Sequence, residues 1–161
     1  MFRKLNLFLA TGFCVGYLPC VPGTFGTVVG MGIFFSEFYL FGSNAIFANA
    51  VFFVLMLVPS ILIAGKAEGY FKKKDAQQIV IDEIMGYSLS VLFHPFSIKL
   101  AVCAFVLFRI FDILKPFPIK KLQNIHGGLG VVADDLLAGV FVNVCLWGVV
   151  LIGQITGHVV I

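Results

Sequence analysis

The sequence predicts an all-α protein, a polytopic membrane helical bundle of about five helices whose polar chemistry gathers at the cytoplasmic face. Three observations carry that expectation. Hydrophobic residues make up 60% of the 161 residues and charged residues only 12%, against about 45–50% and about 25% in an ordinary soluble domain. Mean hydropathy is +1.06. A globule of this size could not cover its apolar atoms with so few charges, whereas a bilayer solvates them directly. Apolar runs also recur at the length a helix needs to cross about 30 Å of hydrocarbon. The 19 Phe suit lipid-facing positions, and the length fits a single domain, 1–161.

Taken in order, the chain opens with Met1-Phe2-Arg3-Lys4 and an apolar stretch that superficially resembles a signal peptide. Pro19, Pro22 and several glycines interrupt it, and most of the remaining chain is just as apolar, so it is read as part of the mature protein. Thr27 to Phe41 is the first span, somewhat short and containing Glu37. Asn44 to Ala64 is uncharged, with Pro59 tolerated as a kink. Ile79 to Phe93 is shorter again, with Asp82 and Glu83 near its start. Phe96 to Leu114 carries Lys99 near its beginning and Arg109 and Asp112 near its end. Leu136 to Ile152 carries no charge and continues apolar almost to the C-terminus. Ser43-Asn44 and His94-Pro95 supply turn chemistry between neighbours, which gives two helical hairpins.

Threading the spans from a cytoplasmic N-terminus puts Arg3, Lys4, Lys66, Lys72, Lys73, Lys74, Arg109, Lys115, Lys120 and Lys121 on or near the inner side and leaves Lys99 outside. The positive-inside rule assigns that face to the cytoplasm. The acids divide the same way, with Glu37 as the outer exception. Loops explain most of these charges. They do not explain Asp82, Glu83, Arg109 and Asp112, which sit within apolar helical segments, where an ionised group is costly and points to a polar site inside the bundle.

Composition also excludes some chemistry. A net charge of +3 is too small to argue for nucleic acid. Cys14, Cys20, Cys103 and Cys145 form no CxxC pair, so neither a disulfide framework nor a zinc site is expected. Cys103 to Arg109 has the Cys-x5-Arg spacing of thiol phosphatases, but the residues between them form an apolar helix without glycine, which cannot wrap its amides around a phosphate.

Four segments can carry chemistry. In Leu18-Pro-Cys-Val-Pro-Gly-Thr-Phe-Gly-Thr27, Gly23, Thr24 and Thr27 are candidates to contact a phosphate at a helix N-terminus; the alternative is a tight turn that lets helices pack. Asp75-Ala-Gln-Gln-Ile-Val-Ile-Asp-Glu83 brings Asp82 and Glu83, which point about 100° apart on a helix and so are not expected to chelate one ion as an i, i+4 pair does. The helix dipole alone would also favour acids there. In Phe108-Arg-Ile-Phe-Asp-Ile-Leu-Lys115, Arg109 and Asp112 share a face, Arg suits bidentate phosphate recognition and Lys115 offers a point charge; a purely structural salt bridge is the alternative. His126-Gly-Gly-Leu-Gly-Val-Val-Ala-Asp-Asp135 delivers adjacent carboxylates behind glycines, as in many Mg²⁺ sites, with His126 available to protonate a leaving alkoxide. Together Asp82, Glu83, Asp134 and Asp135 would form an acidic cluster facing Arg109 and Lys115, the layout of metal-assisted phosphoryl transfer.

Pro22-Gly-Thr-Phe-Gly-Thr27, Ile79-Val-Ile-Asp-Glu-Ile-Met-Gly86, the run Phe108 to Ile119 and the run Gly127 to Gly139 resemble phosphatidylglycerophosphatase A, in order and over most of the chain. Leu18 stands where a Ser is expected before the first proline, and Ala76 where Pro or His is usual; both flank the motifs. The resemblance implies a bacterial inner-membrane, Mg²⁺-dependent enzyme, facing the cytoplasm, that hydrolyses phosphatidylglycerophosphate to phosphatidylglycerol and phosphate. It places Asp82, Glu83, Asp134 and Asp135 on the family's acidic positions and Arg109, Asp112 and Lys115 on its Arg-x-x-Asp-x-x-Lys-Pro run. The expected mechanism has Mg²⁺ on Asp82, Asp134 and Asp135, phosphate oxygens on Arg109 and Lys115, water activated by Glu83, and Asp112, Asp75 and His126 in support. The phospholipid substrate would enter sideways from the bilayer. Alternatives are another membrane phospholipid or polyprenyl-pyrophosphate phosphatase, or a small ion transporter.

Overall fold

The computed structural model describes residues 2–123 and 125–156. Among these the chain is helical without strands: α1 (Phe2–Ala10), α2 (Pro22–Phe41), α3 (Ala45–Phe71), α4 (Ile81–Ser90), α5 (Ile98–Leu114), α6 (Ile119–Leu122) and α7 (Gly128–Thr156), with short 3-10 turns at Val15–Tyr17 and Gly42–Asn44. Pro22–Phe71, which contains α2 and α3, and Gly128–Ile155 are long and apolar enough to cross a membrane. Their apolar side chains mostly face outward: Tyr39, Phe47, Val54 and Leu55 on α2 and α3 are all more than half exposed. An apolar exterior of this kind needs lipid or a partner to cover it.

α3 and α7 extend well beyond the expected spans, and the third expected span is corrected. Ile79 to Phe93 holds only the ten-residue α4, about 15 Å long at 1.5 Å per residue, half a bilayer core. α4 is instead a short helix inserted among the others, and nearly every residue of it is buried. It can end inside the bundle because its last carbonyls find a donor. The Asn143 side-chain amide on α7 lies 3.1, 3.2 and 2.8 Å from the carbonyl oxygens of Leu89, Ser90 and Leu92, which satisfies groups that hydrocarbon could not. Tyr87 of α4 is wholly buried and donates its hydroxyl to the Ala101 carbonyl at 3.0 Å.

α2, α3, α5 and α7 surround α4, and Phe34, Tyr87, Phe108, Val142 and Leu146 belong to the main core. A second cluster, including Ala64, Ala67, Ile79, Ile81 and Val132, packs α1 and α3 against the start of α7. At the end of α2 remote from its N-terminus, Glu37 is only 7% exposed and accepts a hydrogen bond from Asn49 Nδ2 of α3 at 3.0 Å. The same amide donates to Ser88 Oγ of α4 at 3.2 Å. Glu37 is thus held by neighbouring helices at that end of α2.

α4 and α7 approach closely. A Cβ on Gly86 would overlap the Phe108 ring and the Asp135 carbonyl, and one on Gly139 would overlap the Gly86 carbonyl. Gly86→Ala should therefore destabilise the fold by about 1–3 kcal/mol, as overpacking does, seen as a lower unfolding temperature of the detergent-solubilised protein. Gly148→Ala, at a position with open space around it, should leave that temperature within error.

Candidate active site

The N-terminal ends of α2, α4 and α7 and the C-terminal end of α5 meet at one face of the bundle and border a cavity of about 430 Å³. Asp82, Glu83, Arg109, Asp112, Lys115 and Asp135 line its interior, and Pro22, Gly23 and Thr24 supply the α2 edge. The exposed lining residues make a rim of mixed character, with Cys20, Val21 and Ile113 apolar and Asp75 and Gln77 polar, joined by half-buried Gln123.

The cations are held by local geometry. Arg109 and Asp112 lie one helical turn apart on α5, and Arg109 Nη1 donates to Asp112 Oδ2 at 2.6 Å. The same nitrogen reaches Thr27 Oγ1 at 3.4 Å. The Thr27 hydroxyl in turn donates to the Gly23 carbonyl at 3.0 Å. Lys115 takes a left-handed conformation, φ 41°, at the C-cap of α5, and Pro116 follows, so the helix stops there. Its Nζ donates to Asp134 Oδ2 at 2.5 Å and lies 3.5 Å from Asp112 Oδ1. Burial works against the Lys115 ammonium, but the carboxylates of Asp135, Asp134 and Asp112 outweigh it and raise its pKa above the ordinary lysine value. It is charged throughout the neutral range.

In the same cavity, one carboxylate oxygen from each of Asp82, Glu83 and Asp135 lies within 4.8 Å of the others. Asp82 and Glu83 therefore share one locus, contrary to the expectation from helical angle. The reason is local: both occupy the first turn of α4, and the longer Glu side chain spans the angular gap. Gly23 makes room for it, since a Cβ there would overlap Glu83 Oε1 and lie 3.2 Å from Arg109 Nη1. Asp82 Oδ1 and Glu83 Oε2 are buried without a hydrogen-bond partner among the described residues. Buried carboxylate oxygens left this way are costly, and a hard divalent cation, which takes oxygen ligands, fits the set.

The expected residues divide accordingly. Gly23, Thr24, Asp75, Asp82, Glu83, Arg109, Asp112, Lys115 and Asp135 line the cavity together. Asp134, expected beside Asp135 as a metal ligand, turns to Lys115 instead, because adjacent helical residues diverge. Thr27 is fully buried behind Arg109 and does not line the cavity, so it braces the guanidinium rather than reaching a phosphate. His126 is exposed in the loop before α7 and is not part of the lining. Sequence reasoning missed Gln77 and Gln123. Gln77 lies inside a motif already singled out, but an amide carries no spacing rule that would distinguish it.

The sequence profile of phosphatidylglycerophosphatase A matches residues 8–150. A protein of Bacteroides thetaiotaomicron named "Putative phosphatidylinositol-3-phosphatase" is 36% identical over 141 residues, covering 85% of this chain and 88% of that one. The phosphatidylglycerophosphatase A of Escherichia coli is 32% identical, covering 82% of this chain and 76% of its own length. That of Haemophilus influenzae is 30% identical, covering 88% and 86%. No solved structure matches the chain. A profile spanning the whole cavity, joined to relatives matched over three quarters or more of their length, sets aside the transporter alternative: this phosphatase chain belongs to the phosphatidylglycerophosphatase A family.

Proposed function

We propose that the chain is a Mg²⁺-dependent lipid phosphatase of the bacterial inner membrane. It hydrolyses phosphatidylglycerophosphate to phosphatidylglycerol and phosphate at the cytoplasmic face. The observation that carries this reading is that a carboxylate trio, Asp82, Glu83 and Asp135, shares the lining of one cavity with Arg109 and Lys115 at the end of an apolar bundle. The concentration of Lys and Arg on the loops at that end supports the orientation.

Arg109 and Lys115 bind the oxygens of the terminal phosphate and offset the charge that develops on them. Asp82 and Asp135 would hold Mg²⁺, which would polarise the phosphoryl group, leaving the neighbouring Glu83 carboxylate to act as base. The Glu83 carboxylate orients a water and takes its proton as the water oxygen bonds to phosphorus. The P–O bond to the head glycerol breaks, and the glycerol oxygen leaves with a proton from solvent. Asp112 bridges the two cations, Asp134 fixes Lys115 and Thr27 fixes Arg109. The relative named for a phosphoinositide favours a second reading in which the phosphate sits on an inositol ring; the same groups would serve.

Purified protein should release phosphate from phosphatidylglycerophosphate, lose that activity in EDTA and regain it with added Mg²⁺. Phosphatidylinositol 3-phosphate in the same detergent assay separates the second reading. Asp82→Asn or Asp135→Asn should lower the Mg²⁺-dependent rate about a thousandfold with insertion and folding retained. Full activity in either variant removes that residue from the metal site. Lys115→Met should destabilise the protein by about 3–5 kcal/mol, because it strands buried Asp134. Adding Asp134→Leu should restore most of that stability in a denaturant titration.

A further inference from the structure

The mixed rim has a consequence for which phosphorylated lipids fit. Exposed Asp75 and Gln77 and half-buried Gln123 stand above the charged interior. Gln123 Nε2 donates to Asp75 Oδ2 at 3.3 Å, which ties the end of α6 to the loop before α4. Asp75 is itself fixed: it has a left-handed φ of 48°, and its backbone N–H donates to Glu68 Oε1 at 2.8 Å. The other exposed rim residues, Cys20, Val21 and Ile113, are apolar and offer a lipid no side-chain oxygen acceptor or amide.

We infer that Gln77 and Gln123, with Asp75, form a subsite for the free hydroxyl of the lipid headgroup, and so are specificity-determining residues. This rests on the phosphatase reading above. In phosphatidylglycerophosphate the hydroxyl is on the carbon next to the phosphorylated one, so it is held just above a phosphate engaged by Arg109 and Lys115. A hydroxyl is both donor and acceptor. A carboxylate beside carboxamides offers it an acceptor and N–H donors at once, while the acyl-bearing part of the lipid leaves over Val21 and Ile113. A phosphorylated lipid without a headgroup hydroxyl would leave these polar groups unmatched.

The test compares phosphatidylglycerophosphate with its 2′-deoxy analogue, the phosphate of phosphatidylpropanediol, which differs by that one hydroxyl. The wild-type protein should prefer the hydroxylated lipid by about tenfold in kcat/KM, the size of one partly exposed hydrogen bond. Gln123→Met and Gln77→Met together should bring the ratio close to one. Damage to the fold would lower both rates alike and leave the ratio in place, so a ratio that persists in the double variant overturns the subsite. Equal rates on the two lipids in the wild-type protein overturn it as well, with the phosphatase reading intact. A wild-type protein that cleaves neither lipid overturns the phosphatase reading and the subsite with it.

Discussion

The geometry of the site depends on how closely α4 can approach α7. At Gly86 and Gly139 each glycine lies close to a backbone carbonyl of the facing helix, that of Asp135 and that of Gly86, with no room for a Cβ. Asp82 and Glu83 lie about one turn before Gly86, and Asp135 about one turn before Gly139, so the contact that brings the glycines together also brings the carboxylates together. Within lipid, helix association relies on close fit and polar contacts, since hydrocarbon solvates apolar side chains as well as a neighbouring helix does. Small residues on facing helices therefore set the spacing of the acids.

Acids this close repel one another strongly in a medium of low dielectric constant. Arg109 offsets part of the charge on Glu83, and Lys115 part of that on Asp135. Asp112 lies between Arg109 and Lys115, and Asp134 takes the remaining side of Lys115. Each cation is thereby oriented before any phosphate arrives, and little reorganisation is left for the moment of reaction.

The helical architecture was legible in the sequence because uncharged apolar runs of membrane length rarely occur outside a bilayer-spanning helix; α2, α3, α5 and α7 all lie over expected spans. Their ends were less legible. α7 begins at Gly128, ahead of Asp134 and Asp135, because carboxylates that find partners in the bundle need not lie in a loop. α4 is shorter than the apolar run that contains it because Asn143, more than fifty residues away, terminates it. The cavity residues were legible as charges in costly places. The pairing of Lys115 with Asp134 and the bracing of Arg109 by Thr27 were not, since each joins different elements and leaves no periodic trace in the chain.

The contact among Glu37, Asn49 and Ser88 sits far from the cavity along α2, yet it acts on the same helix that carries Gly23. A carboxyl that meets an amide only at one azimuth works as an angular key. Turning α2 about its axis would part that carboxyl from its amide, so the key fixes the rotational phase of the whole rod. Gly23, several turns away, is thereby indexed toward Glu83, and a contact at one end of the helix calibrates the chemistry performed at the other.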